Sequence, residues 1–291
     1  MAPKLVEDLV DRVTEVERLD RIGEQVSERV SAVVDNRVVK DALSGVWLGH
    51  PLHPMLTDVT IGAWTSAFLL DVFGHESTEG AADTLVGVGV VSAVPTVLSG
   101  VSDWSDLYGA PKRLGLVHAM FNAGAIVSYG LSWLARRRGD RSRGLALGLL
   151  GATVATVGGY LGAHLSYRKG INVDRNAWTQ PPSEWETVLD AADLADGDRR
   201  VVRAEDADVL LVNHGGNISA IANVCGHAGG PLVDGEFSGG CVTCPWHGST
   251  FRLEDGWVVH GPATGPQPAF DVRVADGNIS VRHRSTARSR S

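Results

Sequence analysis

The stretch Cys225-Gly226-His227, followed further on by Cys244-Pro245-Trp246-His247-Gly248-Ser249, decides how this chain is read. It puts one thiol and one imidazole on each of two short, similar loops. Two thiolates and two imidazoles can then grip a metal centre from opposite sides. Turn-forming residues surround them: Gly229-Gly230-Pro231-Leu232 follows the first loop, Gly248-Ser249-Thr250-Phe251 the second, and Gly261-Pro262-Ala263 forms a third. A structural zinc site is one chemistry open to two Cys and two His. Such sites usually pair like ligands, Cys-x-x-Cys with His-x-x-x-His, whereas here each loop carries one of each.

The Cys-x-His…Cys-x-x-His order resembles the Rieske 2Fe–2S family. That resemblance implies that Cys225 and Cys244 hold one iron and His227 and His247 the other, the neutral imidazoles raising the potential above that of an all-Cys cluster. It implies a cluster environment of Gly229, Pro231, Leu232, Trp246, Gly248 and Ser249, completed by Phe251, Gly261 and Pro262. Rieske proteins of cytochrome bc complexes add a disulfide-forming Cys to each loop, and a Ser and a Tyr that donate to the cluster sulfurs. This chain keeps Ser249 but has Phe251 where the Tyr would be, and Cys241 lies outside the bridging place. The second loop is therefore more similar to those of ferredoxins and reductase subunits, which are low- to middle-potential carriers. Oxygenases of the family add a large domain with a mononuclear iron held by two His and a carboxylate. The chain after His247 is too short for one, and no Gly-x-Gly-x-x-Gly turn suits a nicotinamide or flavin. The expectation is an oxidoreductase component that carries electrons without a substrate site of its own.

The chain has 291 residues and a net charge of −8. That length holds about two domains. The negative balance, with no basic stripe interleaved with aromatics, excludes nucleic acid as a partner. Cys241 is the one thiol left over from the cluster loops, so no disulfide framework is expected. The N-terminus lacks the charged-then-apolar-then-small pattern of a cleavable signal.

Four long apolar runs, at about 57–73, 84–102, 114–135 and 144–166, read as membrane helices. The second contains Pro95, which a membrane helix tolerates when neighbours satisfy the freed carbonyl. The fourth carries Gly144, Gly148, Ala152, Ala155, Gly159 and Gly162 as a stripe of small residues suited to close packing in lipid. It has no polar face to show water, which argues against a soluble bundle. Four spans put both termini on one side. His50, His53, Asp58, Asp103, His118 and His164 then all fall on the side from which the C-terminal domain emerges. Ionisable groups so near hydrocarbon are functional candidates by default, and a haem or a quinone is the ligand they suggest; interfacial groups facing headgroup water are the plainer reading.

The repeat His50-Pro51-Leu52-His53-Pro54, with Asp58, Gly100-Val101-Ser102-Asp103-Trp104 and the histidines of the last two helices, resembles the bacterial membrane family called domain of unknown function 2231. The fold expected is multidomain: an amphipathic helical segment over 1–46, a four-helix transmembrane bundle over 47–167, a linker over 168–186, a small all-β Rieske domain over 187–283 and a flexible tail over 284–291. The N-terminal segment, with Leu5, Leu9, Val13, Val16, Leu19, Val26, Val30 and Val33 at helical spacing, should lie on the bundle, on the membrane interface or against a second subunit.

Orientation is not settled by the positive-inside rule. Arg136, Arg137, Arg138, Arg141 and Arg143 on one side face Arg37, Lys40, Lys112, Arg113, Arg168, Lys169 and Arg175 on the other. The missing signal and the charged N-terminal segment lean toward a cytoplasmic Rieske side. The function expected is membrane-anchored Rieske electron transfer, with the bundle exchanging electrons with haem or the quinone pool. Two alternatives stand beside it: the electron-donor subunit of a separate oxygenase or reductase, with lipid contact as the bundle's only role, and a redox or iron–sulfur sensor.

Overall fold

A computed structural model describes residues 2–34 and 36–284. The expected flexible tail lies, from residue 285 on, outside the described residues, as do the side chains of Leu5 and Val33. The chain divides into two compact units. One comprises Met1–Leu43 and Pro51–Ile171; the other comprises Ser44–His50 and Asn172–Ser291.

The helical unit begins with α1 (Ala2–Thr14), α2 (Arg18–Val34) and α3 (Arg37–Ser44). The N-terminal segment is thus three helices and not one. Asn36 supplies the last break, its side-chain oxygen accepting from the N–H groups of Val38 and Val39, as helix-capping residues do. The apolar stripe packs on the same chain: Val10 is buried against Leu114, Leu161 and Leu165. Asp20 receives a two-pronged ion pair from Arg113 at 2.6 Å, and Lys112 donates to Ser27 at 3.0 Å.

Four long helices follow: α4 (Leu52–Phe73), α5 (Glu79–Ser105), α6 (Gly109–Arg137) and α7 (Arg141–Tyr167). Each is long and apolar enough to cross a membrane. All four are longer than the apolar runs; Lys112 and Arg113, read as flanks, lie near the start of α6, held by Ser27 and Asp20. Many of the bundle's apolar side chains point outward, with Val91 63%, Val94 60%, Val127 60% and Leu149 57% exposed. An apolar exterior of this extent is what lipid covers.

The bundle is internally duplicated. The same number of positions separates His53 from His118, Trp64 from Tyr129 and Asp71 from Arg136; another constant separation relates Gly89 to Gly151, Thr96 to Gly158 and Gly100 to Gly162. The contacts repeat with the residues. Trp64 packs on Gly89 and Tyr129 on Gly151, where a Cβ would collide with either ring. Trp64 and Tyr129 then stack on each other, with ring centroids 4.1 Å apart and planes 12° apart. Asp71 pairs with Arg136. Equivalent residues that touch each other lie on a local two-fold axis, so hairpin α4–α5 and hairpin α6–α7 are related by an axis through the bundle core.

Among the described residues the second unit is all-β, with ten strands. β1 (Glu186–Asp190) pairs antiparallel with the last strand, β10 (Asn278–His283), which pairs with β9 (Phe270–Ala275). β2 (Arg199–Ala204), β3 (Ala207–His214) and β4 (Asn217–Ala222) form a second sheet. β5 (Glu236–Ser238), β6 (Cys241–Thr243), β7 (Thr250–Arg252) and β8 (Val258–His260) form a third. Gly215 and Gly216, and Asp276 and Gly277, take positive φ at the two-residue hairpin tips, as such tight turns require. The expected tether over 168–186 is only partly one. From Asn172 on it belongs to this unit, and Asn176 is buried, donating to the Val224 carbonyl at 2.9 Å. Val46 also packs on this unit's core.

Candidate metal centre

The first cluster loop leaves β4 and the second joins β6 to β7. They are built alike. In the first, the Cys225 N–H donates to the Gly230 carbonyl at 2.9 Å and the Gly229 N–H to the Cys225 carbonyl at 2.8 Å. In the second, the Cys244 N–H donates to the Ser249 carbonyl at 2.8 Å and the Gly248 N–H to the Cys244 carbonyl at 3.1 Å. Both turns need a left-handed residue, supplied by Gly229 at φ 90° and Gly248 at φ 77°, a conformation that costs glycine little.

Both hairpins aim their cysteines inward and their histidines outward. Cys225 and Cys244 are buried in a core with Leu232, Val242 and Phe251. His227 and His247 are half-buried, their rings 5.0 Å apart and perpendicular. The cysteines are near enough to share a hydrogen bond. The bond from Cys225 pulls the Cys244 thiol down to about 6, helped by the backbone N–H groups of Trp246 and His247; the same bond, with burial, pushes Cys225 up. A soft metal that deprotonates both thiols relieves this conflict. Two ligand pairs, one sulfur and one nitrogen, suit a two-iron cluster better than one zinc.

The surroundings hold the loops in place. Ser249 is fully buried, and its Oγ accepts the Ala263 N–H at 2.9 Å, tying the second loop to the Gly261-Pro262-Ala263 loop. Its own O–H proton is left to donate. Phe251 is fully buried and brings no donor. Pro231 and Leu232 close the first loop, Leu232 fully buried; Trp246 is 54% exposed. A Cβ at Gly230 would lie 2.8 Å from the Cys244 sulfur, so the two loops touch through that glycine. All three cysteines are free thiols, so Cys241 bridges to neither loop.

Two supports went unread in the sequence. Gln267, 2% exposed, accepts the Gly226 N–H at 3.1 Å and donates to the Val224 carbonyl at 2.8 Å. Asn176 bonds both Val224 and Gln267. Their only signal was polarity in an otherwise apolar, proline-rich neighbourhood.

A family model described as Rieske [2Fe-2S] domain matches residues 184–271. Ferredoxin CarAc of Metapseudomonas resinovorans is 32% identical over 98 residues, which cover 33% of this chain and 92% of the ferredoxin. The chain belongs to the Rieske family. Its cofactor is the 2Fe–2S cluster, and the Rieske domain is an iron–sulfur electron-transfer module. The cytochrome b6-f complex iron-sulfur subunit of Chlorobaculum tepidum is 33% identical over 91 residues, 31% of this chain and 49% of the subunit. Mouse apoptosis-inducing factor 3 is 35% identical over 96 residues, 33% of this chain and 16% of that protein. The chain thus spans half or less of these two relatives. A second model, described as Predicted membrane protein (DUF2231), matches residues 49–175, the four apolar helices. The Rieske domain is thus joined to a domain that matches a predicted membrane-protein family.

The other histidines and acids scatter. His50 is exposed and belongs to the Rieske unit, and Asp58 is exposed on α4. Asp103 is half-buried near the end of α5. His164 is buried on α7 beside Leu161 and Leu165, in electrostatic reach of Glu7 and Asp11 of α1. His53 and His118 are the two that the structure treats alike.

Proposed function

We propose that this protein is a membrane-anchored electron carrier of low to middle potential, with Cys225, His227, Cys244 and His247 as cluster ligands and a redox site in the bundle as its membrane partner. The observation that carries this reading is the pairing of half-buried His227 and His247 over buried Cys225 and Cys244. Electrons enter and leave by the imidazole side, where exposed Trp246 offers an aromatic contact for a partner surface. The low potential follows from the missing donors: Phe251 cannot donate to a sulfur, and no disulfide braces the loops. A reduced cluster gains charge, so each donor lost lowers the potential.

The test is a redox titration of the full chain in detergent. The midpoint should fall in the lower part of the Rieske range of about −150 to +300 mV. Ser249→Ala should lower it by on the order of 40 mV, the equivalent of about 1 kcal/mol for one electron. Phe251→Tyr should raise it by a similar amount. A wild-type midpoint near the upper limit, unmoved by Ser249→Ala, would remove the support for a ferredoxin-like potential.

A second reading, in which the bundle only anchors and a separate enzyme takes the electrons, is favoured by the near-complete coverage of a free-standing ferredoxin. In either case we place the Rieske domain in the cytoplasm, because the charged helices α1 to α3 precede the first span on the same side. Cys241, partly exposed and outside the cluster loops, reports this directly. A membrane-impermeant maleimide should label it in inverted vesicles and not in intact cells; the reverse pattern would move the domain to the outer face.

A further inference from the structure

The duplication gives the bundle two identically built imidazole sites. His53 Nδ1 lies 2.9 Å from the Thr96 carbonyl, and His118 Nδ1 lies 2.8 Å from the Gly158 carbonyl. A carbonyl only accepts, so each Nδ1 carries the ring proton and each Nε2 keeps its lone pair. That is the tautomer of a metal-bound imidazole, whose other nitrogen donates to a carbonyl or carboxylate that fixes the ring. Each ring lies against a glycine one helical turn further along the same neighbour. A Cβ on Gly100 would come within 2.6 Å of His53 Cε1, and one on Gly162 within 2.9 Å of His118 Cε1.

The two rings come from α4 and α6, the helices that meet through the Trp64–Tyr129 stack, about 16 Å of helix rise deeper. They interact electrostatically with each other. Both lie at the bundle end from which the chain continues to residue 172. No third His, Cys, Asp or Glu joins them among the described residues. Two nitrogens alone do not complete the coordination of a bare transition-metal ion, so the remaining ligands must arrive with the metal. A planar tetrapyrrole brings four nitrogens and leaves two axial positions, one on each face, which is what a two-fold pair of imidazoles fills.

We propose that the membrane domain binds one haem through His53 and His118. This rests on the electron-transfer reading above and names its membrane partner. Asn122 now places its Nδ2 3.0 Å from His118 Nε2 and 3.0 Å from the His118 carbonyl. When iron takes Nε2, Asn122 keeps the carbonyl bond. Its counterpart in the duplication, Thr57, already bonds only the His53 carbonyl, at 2.8 Å. The redox balance is simple: ferrous haem gives up one electron to become ferric, and the oxidised cluster takes it, with no proton and no third reactant. His164 faces α1 and takes no part.

The experiment uses the full chain purified in detergent, as isolated and after titration with haemin. Haem is read by its pyridine haemochrome and by low-spin paramagnetic resonance, and the cluster by labile sulfide. One low-spin haem per chain is expected. His53→Ala and His118→Ala should each lower low-spin haem at least tenfold, with sulfide unchanged. Imidazole added to His118→Ala should restore the low-spin signal, which a folding defect would not allow. Gly162→Ala should weaken haem binding with both histidines present, and His164→Ala should leave it intact. The proposal is overturned by a wild-type protein with full cluster content that takes up no haem, with or without bound quinone. A His53→Ala/His118→Ala double variant that keeps low-spin haem overturns it as well. Haem bound by a protein lacking labile sulfide would strike the electron-transfer reading and leave the haem site standing.

Discussion

Replacing His247 with Ser should remove the cluster: iron and labile sulfide should fall below about a tenth of the wild-type content, and the paramagnetic signal of the reduced protein should vanish. In the proposed ligand set His247 and His227 supply the nitrogen pair for one iron, their rings 5.0 Å apart. A hydroxyl on a shorter side chain neither reaches that iron nor matches imidazole as a ligand. The loss should extend to the fold of the Rieske domain, because metal-binding free energy is folding free energy where ligands come from separate loops. Buried Cys225 and Cys244 would then be left as the coupled thiol pair. The helical unit has its own cores, around Trp64 and Tyr129 and around Leu114 and Leu161, so it should stay folded. Cys241→Ser is the control and should retain full cluster, since Cys241 belongs to neither loop. Stoichiometric zinc without sulfide in the wild type would sink the iron–sulfur assignment itself.

The two Cys–His loops stood out, and with them the family, because chemistry-bearing residues at an unusual spacing carry their meaning locally. The hairpin tips at Gly215–Gly216 and Asp276–Gly277 carry a local mark of the same kind, residues that tolerate positive φ. Strands as short as Thr250–Arg252, in the sheet that holds the second loop, are below any period a sequence can show. Helix ends in the bundle were underestimated for a different reason. Lys112, Arg113 and Arg136 break hydropathy, yet each has a partner far along the chain, in Ser27, Asp20 and Asp71. The duplication was hidden because its halves answer each other by contact and not by identity: Trp64 to Tyr129, Asp71 to Arg136, Thr96 to Gly158. His53 and His118, and the glycines beneath them, are among the positions that hold the same residue in both halves. That identity is a reason to weigh them above His50 and His164, which the sequence alone ranked equally.

Arg136→Met should destabilise the membrane domain by about 3–5 kcal/mol, the usual cost of stripping one partner from a buried ion pair. Arg136 has a side chain only 1% exposed, and Asp71 only 12%. The guanidinium donates to both Asp71 oxygens, to Asp83 at 2.9 Å and through Nε to Ser132 at 3.2 Å. Methionine keeps the stem that packs on Gly144, so the loss is mainly of charge and not of volume. Arg141 stays within 3.1 Å of Asp71. It is more exposed and also engaged by Glu79 at 2.8 Å, so its rescue is partial. Unfolding in detergent should shift down by about 10 °C or more for a domain of this size. Cluster content in the Rieske unit should be unchanged. Adding Asp71→Leu to Arg136→Met should recover part of the loss, because the double variant buries no unpaired carboxylate. If Arg136→Met alone melts like wild type, the pair is a surface contact and the axis at this end is held by packing alone. If the double variant is worse than the single by the full cost of a second lesion, Asp71 is held by Arg141 and Asp83 is Arg136's true partner.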